Sequence, residues 1–554
     1  MKTLTLLLAL LLAGNSALAQ ISWQRITQLQ SSGGEVQLRS VALDAFGGSV
    51  VTGSFQGTVR FNALTLTSRG YTDLFVVRYG ADGRALWAVQ FGQAPGAPPY
   101  SQASASGSGV ALDRAGNVYL LGNFAGYVSY PGGTLHSYDG SFQAGLIAKL
   151  NSRGQVQWAQ RFGIRQFSCY AYAIATDASG TSYITGQSDY GNIEFGRNVY
   201  SPGSRRVMYV AAYRTTGEVA WAKVSGNYST YGASGSDVAL DGRGNCYVGG
   251  FFNNDMTLDG AALTTVGADS YLARFSAATG ALQWLKQGGG PGTLSANNNV
   301  RIGTLSTDRL GNVYVAGEFS GVTALGGQPL LSNDASQPDL FIARYTQAGV
   351  VQWARSTGTT AAEYSAQLTT DADGFSTLVS RRLNQNQESK LLLHSFQPTG
   401  TLYHSDVLGT TGNCRGYALT QNPKGLLYLA GTLAGAATFG ATNLQTANRT
   451  DGFVAQLSIR QPTIGGRPTF EVFPNPARGR IVARLNWSEA GMQLDGWATL
   501  TNSLGRQVAS QAVPGGSAAH TQTIFDCTSL PNGLYVLQLT TSDGASYSQG
   551  VEIR

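Results

Sequence analysis

The sequence predicts an all-β protein built from one repeated four-stranded unit, and three observations carry that reading. First, charged residues make up only 12% of the 554 and glycines number 72, where average soluble domains hold about 25% charge. Second, the stretch "VALDRAGNVYLLGNF" (110–124) recurs as "VALDAFGGSVVTGSF", "VALDGRGNCYVGGFF" and "LSTDRLGNVYVAGEF". Third, the array of repeats lacks a strand at its C-terminal end and carries a spare one at its N-terminal end. Together these predict a seven-bladed β-propeller over 21–462, closed by its own N-terminal strand, and a small Ig-like β-sandwich after it.

In chain order, residues 1–20 read as a signal peptide. Lys2 is followed by a Leu/Ala-rich run and by "ALA" before Gln20, the charge, apolar core and small-residue site of a cleaved leader. The apolar run is too short to cross a bilayer of about 30 Å, and no later stretch reaches the length of a spanning helix, so no transmembrane segment is expected in the mature chain. Aligning the repeats on one acidic position gives Asp44, Asp113, Asp177, Asp241, Asp308 and Asp371, with Asn422 in the seventh place. Nine residues after each stands a glycine (Gly53, Gly122, Gly186, Gly250, Gly317, Gly431), except for Ser380 in the sixth. The starts lie 69, 64, 64, 67, 63 and 51 residues apart, and a fixed internal spacing under a variable period marks a structural repeat.

Each unit reads as four strands. "GVAL" precedes the Asp, "VYLLG" follows the turn, an alternating strand such as "DLFIARY" (339–345) comes third, and a Trp strand comes fourth. The Trp residues are Trp87, Trp158, Trp221, Trp284 and Trp353, and Tyr403 is expected to replace Trp in unit 6. Unit 7 has its third strand at 451–458 and no fourth, while "ISWQRIT" (21–27) stands unused at the other end. A ring closed by that strand hides the edges that an open array would expose. Unit 6 departs most from the pattern, with "LVSRRLNQNQESKLLLHSF", and is expected to be shortened or irregular.

The repeat pattern resembles that of bacterial β-propeller proteins found in secreted, modular surface proteins. That resemblance implies an extracellular setting and no common reaction. Residues 463–468 ("TIGGRP") read as a linker. After them, Pro-Asn-Pro (474–476), Gly505-Arg506 and Gly533-Leu534-Tyr535 resemble, in order, the motifs of the C-terminal sorting domain of the type IX secretion system of Bacteroidetes. This resemblance over 469–554 implies the type IX machinery as a partner, with secretion or display at the outer-membrane cell surface.

The recurring Asp turns are first tested as calcium loops. Calcium needs six to eight oxygens, and "DAFGG", "DRAGN", "DASGT", "DGRGN", "DRLGN" and "NPKGL" offer one acidic or amide ligand at their head. Only "DADGF" adds a second carboxylate, Asp373. Side chain to backbone bonds from Asp, with Gly at positive φ, explain the turns more simply. "GQAPGAPP" and "GGGPG" lack the Lys-Ser/Thr ending of a phosphate loop. The four histidines form no metal-spaced pair, and His394 with His404 reads as a surface pair on neighbouring strands. The four cysteines are too widely spaced for a zinc or disulfide framework. No cofactor is expected, and a net charge of +6 without a Lys/Arg cluster argues against a nucleic-acid partner.

What differs between units is therefore where a specific site is sought. Seven residues before each Asp position stand Gln37, Ser106, Tyr170, Ser234, Arg301, Tyr364 and Arg415, expected near the mouth of the central channel. Tyr170, Tyr172, Tyr231, Asn299, Arg301, Tyr364, Arg415 and Tyr417 are the candidate ligand-binding residues, because Tyr, Asn and Arg suit a glycan or a polar protein surface. The leading expectation is a binding protein with an extracellular glycan or protein ligand. An extracellular polysaccharide lyase or hydrolase, and a purely structural surface protein, are the alternatives. No catalytic residue can be singled out.

Overall fold

A computed structural model of the chain describes residues 21–554, except 45, 97–102, 138–141, 165, 190–192, 202–205, 227–231, 290–298, 335–336, 359–360, 384–387, 410–412, 447–448, 460–468, 474–475, 487–495, 503–505, 514–519 and 542–545. The expected leader (1–20) and the expected linker (463–468) thus lie outside the described residues. The fold is all-β, with no helix among the described residues. The chain separates into two compact units, Gln20–Ile459 and a C-terminal body from Arg460.

The larger body repeats one antiparallel sheet, taken in sequence order from an inner to an outer strand. Unit 5 shows the pattern, with Val300–Thr307, Val313–Phe319, Asp339–Tyr345 and Val351–Ser356 in adjacent positions. The first strands of units 1 to 7 are Val36–Leu43, Ser104–Leu112, Cys169–Thr176, Ala233–Leu240, Val300–Thr307, Glu363–Thr370 and Asn413–Gln421. Each packs against the next, and the seventh packs back against the first. The fourth strand of the seventh sheet is Ile21–Leu29, which pairs antiparallel with Asp451–Ile459 from Ile21↔Ile459 to Leu29↔Gly452.

The third strands are buried along their length, as in Leu340 to Ala343 and Val207 to Tyr213. A sheet covered on both faces reads as a near-continuous apolar run. The apolar clusters lie at the seams between sheets rather than within them. Val50, Leu74 and Val76 of unit 1 join Leu120, Leu146 and Ala148 of unit 2, and Val51, Phe75 and Val77 join Tyr428 and Ala430 of unit 7 across the closure. The indoles serve the same seams. Trp87, Trp158, Trp221, Trp284 and Trp353 each donate Nε1–H to a carbonyl in the third-to-fourth-strand turn of the following unit, at 2.9 to 3.1 Å. In that turn a glycine (Gly154, Gly217, Gly280, Gly349, Gly400) lies against the ring, and at Gly154, Gly280 and Gly400 a Cβ would collide with it. These rings pack within the scaffold.

Strand register corrects two sequence expectations. Trp353 opposes Arg344 beside a bulge, and the same place in unit 6 opposes Ser395 and holds His404, not Tyr403. The signal was available: each Trp stands four residues after its turn glycine, and Gly400 plus four is His404. In unit 7 the place falls to Arg25, whose guanidinium covers Gly83 of unit 1, while Trp23 packs edge-on to Phe439 at 5.5 Å. His394 is also not a surface residue. It is buried, its Nδ1 lies 3.1 Å from the Ser405 hydroxyl, and burial foremost, then the Arg382 and His404 charges, push its imidazole down to about 4.

Between the second and third strands most units insert a two-stranded hairpin that clasps the outer strand of the preceding unit. Tyr127–Tyr130 of unit 2 pairs with Gly92 and Gln93 of unit 1, and Gly226 of unit 3 bridges Thr257 of unit 4. In unit 6 the second strand ends at Leu383 and the third begins at Ser389, leaving no room for the hairpin. The seam between units 5 and 6 is accordingly served by a small cluster around Leu340, Ile342, Trp353, Leu378 and Phe396.

The C-terminal body consists of two antiparallel sheets, Thr469–Phe473, Arg480–Asn486 and His520–Asp526 in one, and Gly496–Asn502, Gln507–Val513, Gly533–Thr541 and Ser546–Ile553 in the other. Ile481, Ala483 and Phe525 from the first and Leu500, Leu537 and Val551 from the second share one core. Ala477, just after the Pro-Asn-Pro stretch in sequence, exchanges backbone bonds with Glu552 and Arg554 of the terminal strand region. Pro474, Asn475 and Gly505 lie outside the described residues.

Candidate ligand site

The recurring acidic position is a joint. In unit 5, Asp308 Oδ1 accepts the backbone N–H groups of Leu310 and Asn312, both at 2.9 Å, and Oδ2 accepts Asn312 Nδ2 at 2.7 Å and the Tyr314 hydroxyl at 3.3 Å. The same two backbone bonds recur at Asp44, Asp177, Asp241, Asp371 and Asn422. The glycine three residues on has positive φ, as at Gly311 (82°) and Gly374 (89°), a conformation that L side chains disfavour. Asp373, the extra carboxylate of unit 6, instead faces Arg309 of unit 5 at 3.2 Å. Among the described residues no group of three or more His, Cys, Asp or Glu side chains could hold a metal ion.

A second recurrence lies at the other end of the first strand. Pairing slips by one residue at Arg39, Ser108, Tyr172, Ser236, Gly303 and Tyr417, each a β-bulge five residues before the Asp position. A bulge re-aims the side chains around it. The residues two positions earlier pair in one shared register, for example Tyr170↔Gln187, Arg301↔Glu318, Tyr364↔Arg381 and Arg415↔Thr432. The varied positions thus occupy equivalent places in successive units.

The structure does not gather all eight candidates into one place. Tyr170 and Tyr172 stack on each other, 6.4 Å apart and 8° from parallel, in unit 3. Arg301 lies over Phe251 at 4.6 Å. Asn299 forms a backbone bridge to Ala268 and accepts Ser320 N–H, and Tyr231 lies outside the described residues. Tyr364, Arg415 and Tyr417 do converge, in units 6 and 7. There Arg381 stands over the Tyr364 ring at 5.3 Å, and Arg39 stands over the Tyr417 ring at 4.3 Å.

Between these groups opens a pocket of about 260 Å³, lined by Arg381 and Leu383 of unit 6, Asn413, Arg415 and Tyr417 of unit 7, and Gln37 of unit 1, with Ser389, Thr432 and Thr450 adding polar atoms. Leu383 and Ser389 are the two ends of the connection that lacks a hairpin. Sequence reasoning found Arg415 and Tyr417 but missed Arg381, whose signal was the replacement of the recurrent glycine by "Ser380-Arg381-Arg382". Burial, then the charge of Arg415, hold the Arg381 guanidinium below its usual range.

A half-buried acid lies outside this pocket. Asp237, in the first strand of unit 4, accepts Leu305 N–H of unit 5 at 2.7 Å and Val238 N–H at 2.8 Å, and burial pushes its carboxyl up to about 6. A carboxyl raised on folding holds its proton more tightly in the native state. Its contribution is therefore complete below the ordinary carboxylate range and is lost as pH rises through about 6. Relative to Asp237→Asn, the wild type is expected to lose about 1–3 kcal/mol of stability between pH 4 and pH 7. Denaturant melts of both proteins across that range check this, and a pH-independent difference would disprove it.

Comparison with known proteins bears on the C-terminal body. Residues 471–553 match the family described as the secretion system C-terminal sorting domain. A chain carrying it is a substrate of the Bacteroidetes-type type IX secretion system, exported to the cell surface or secreted. No curated protein matches the chain. Among solved structures it is similar to a protein of unknown function from Dyadobacter fermentans (12% identity, 79% of this chain and 99% of that one, TM-score 0.39). It is also similar to a europium-containing methanol dehydrogenase (10%, 78% and 93%, TM-score 0.38) and to a subtype N10 neuraminidase-like protein of A/little yellow-shouldered bat/Guatemala/060/2010 (10%, 67% and 97%, TM-score 0.33). No helix among the described residues is long and apolar enough to cross a membrane.

Proposed function

We propose that the protein is a seven-bladed β-propeller that binds an extracellular glycan or protein ligand after export through the type IX system, led by a cleaved signal peptide and ended by an Ig-like sorting domain. The observation that carries the binding reading is the division of labour along each first strand. The Asp end is chemically uniform and its acceptors are occupied by turn donors. The bulged end presents Tyr, Arg, Ser or Gln at one register from unit to unit. Variation at one shared register of the inner strands supports a reading in which recognition lies at that end, and Tyr and Arg are residue types that dominate binding energies.

Glycan-array and pull-down screening of the exported protein tests the reading. Binding that is weakened about tenfold or more by Tyr170→Ala or Tyr364→Ala is the expected result. Binding untouched by both would remove the bulged ends from the site. Turnover of a bound polysaccharide would replace binding with catalysis as the activity.

A further inference from the structure

We infer that the pocket between units 6, 7 and 1 takes the anionic group of an acidic sugar, a uronate carboxylate or a sulfate ester, in an extracellular polysaccharide. This rests on the binding reading above and names its ligand class. Two guanidiniums, Arg381 and Arg415, line one cavity of about 260 Å³, and no carboxylate lines it among the described residues. The charge of Arg415 opposes that of Arg381 and outweighs the favourable charge of Glu318 from unit 5, and an anion between the two guanidiniums relieves that repulsion. Arg381 Nε is buried and has no hydrogen-bond partner. Buried polar groups are ordinarily paired, and a guanidinium is the donor best matched to a carboxylate or sulfate.

The neighbouring acids do not line the pocket. Asp451, beside the lining residue Thr450, accepts Gln28 Nε2 from the outer strand at 2.8 Å, Glu388 precedes the lining residue Ser389, and Glu318 of unit 5 acts on Arg381 less strongly than Arg415 does. The rest of the lining suits a polyhydroxylated ring better than a bare ion. The Asn413 carbonyl accepts Ser389 N–H at 2.7 Å, which turns its amide donors to other use, and Gln37, Thr432 and Tyr417 supply hydroxyl and amide groups. Arg39 holds the Tyr417 ring from one side at 4.3 Å, so that ring meets a ligand already placed. The acidic polysaccharide is preferred over an acidic protein because the pocket is concave and ringed by neutral hydrogen-bonding groups, the lining a sugar requires.

The test uses the full exported protein in affinity electrophoresis and calorimetry against polygalacturonate, chondroitin sulfate, neutral dextran and polyglutamate, at low and high salt. The expected result is binding of polygalacturonate or chondroitin sulfate that exceeds dextran and polyglutamate and weakens with salt. Arg415→Ala should reduce it about tenfold to hundredfold, and Arg415→Lys should restore part of it. Arg415 is exposed, so its replacement leaves the fold intact, and an unchanged thermal midpoint verifies this. The two acidic polymers separate carboxylate from sulfate as the group recognised. Dextran bound as tightly, with Arg415→Ala silent, overturns the acidic-sugar inference and leaves the binding reading standing. Preference for polyglutamate overturns it in favour of a protein partner. Binding of no polymer overturns the inference, and a silent glycan array and pull-down beside it would bring down the binding reading as well.

Discussion

A chain cut after Ile459 is expected to reach neither the medium nor the cell surface, and to accumulate on the inner side of the outer membrane in a folded state. The sorting signal lies in residues 471–553, and these belong to a body with its own core of Ile481, Leu500, Phe525, Leu537 and Val551. The larger body has its cores at its own seams and closes through Ile21–Leu29. The cut falls at the boundary between the two compact units. Fractionation with protease shaving measures the outcome: full-length protein is degraded by external protease or found in the medium, and truncated protein is protected within the cell. The converse arm attaches 469–554 to a periplasmic reporter, which should then leave the cell. Surface display of the truncated chain would show that export is specified elsewhere in the sequence.

How far the structure was legible in the sequence depended on whether a feature repeats. The strands were legible because alternation and buried apolar runs recur with a fixed offset from Asp44, Asp113 and their equivalents. So was the pairing partner of the N-terminal strand, since Asp451–Ile459 lacked a neighbour and Ile21–Leu29 lacked a sheet. The residue-level reading was weaker at the bulge before the fourth strand. There a one-residue slip moves side chains to new positions, so Tyr403 was matched by residue type, while register assigns the place to His404 in unit 6 and to Arg25 in unit 7. The hairpins between second and third strands were read only as a variable stretch. Their strands are short and pair with each other, and the few bonds that clasp the preceding unit leave no local signal in a sequence.

The candidate site was legible in part for the same reason. Arg415 and Tyr417 were found by counting back from Asn422, yet Arg381 joins them from the second strand of another unit. Counting along first strands cannot reach it. Tyr170 and Tyr172 were correctly seen as unlike their counterparts, but they stack on each other and lie two units or more along the series from the pocket. Asp237 was not singled out at all. In sequence it is one Asp before "VALDGRGN", and only the approach of Leu305 N–H from unit 5 makes its environment unusual.

Replacing Gly317 by Ala is expected to destabilise the larger body by about 3 kcal/mol or more, well above the ordinary cost of a surface change. The glycine nine residues after the Asp stands opposite the bulge, where the chain of the first strand crowds in. A Cβ on Gly317 would lie 1.9 Å from the Arg301 carbonyl oxygen, 2.9 Å from its carbon and 3.0 Å from Ile302 Cα. All three are backbone atoms, so no side chain can swing away to make room. Gly53, Gly186, Gly250 and Gly431 meet the equivalent carbonyl at 1.9 to 2.2 Å. Unit 6 shows what a side chain at this place requires. With Ser380 there, pairing jumps from Tyr364↔Arg381 to Gln367↔Val379, a wider break than the single-residue slip of unit 5. Gly317→Ala should force unit 5 toward that opening and lower the thermal midpoint, without any apolar contact being deleted. Gly122 is the internal control. Its Cβ would first meet Leu74 Cδ1 at 2.7 Å, the end of a flexible side chain, and then the Ser106 carbonyl at 2.8 Å, so Gly122→Ala should cost clearly less. Equal losses in the two variants would mean that the recurrent glycine is needed for chain flexibility in general, and that the carbonyl across the bulge is not its cause.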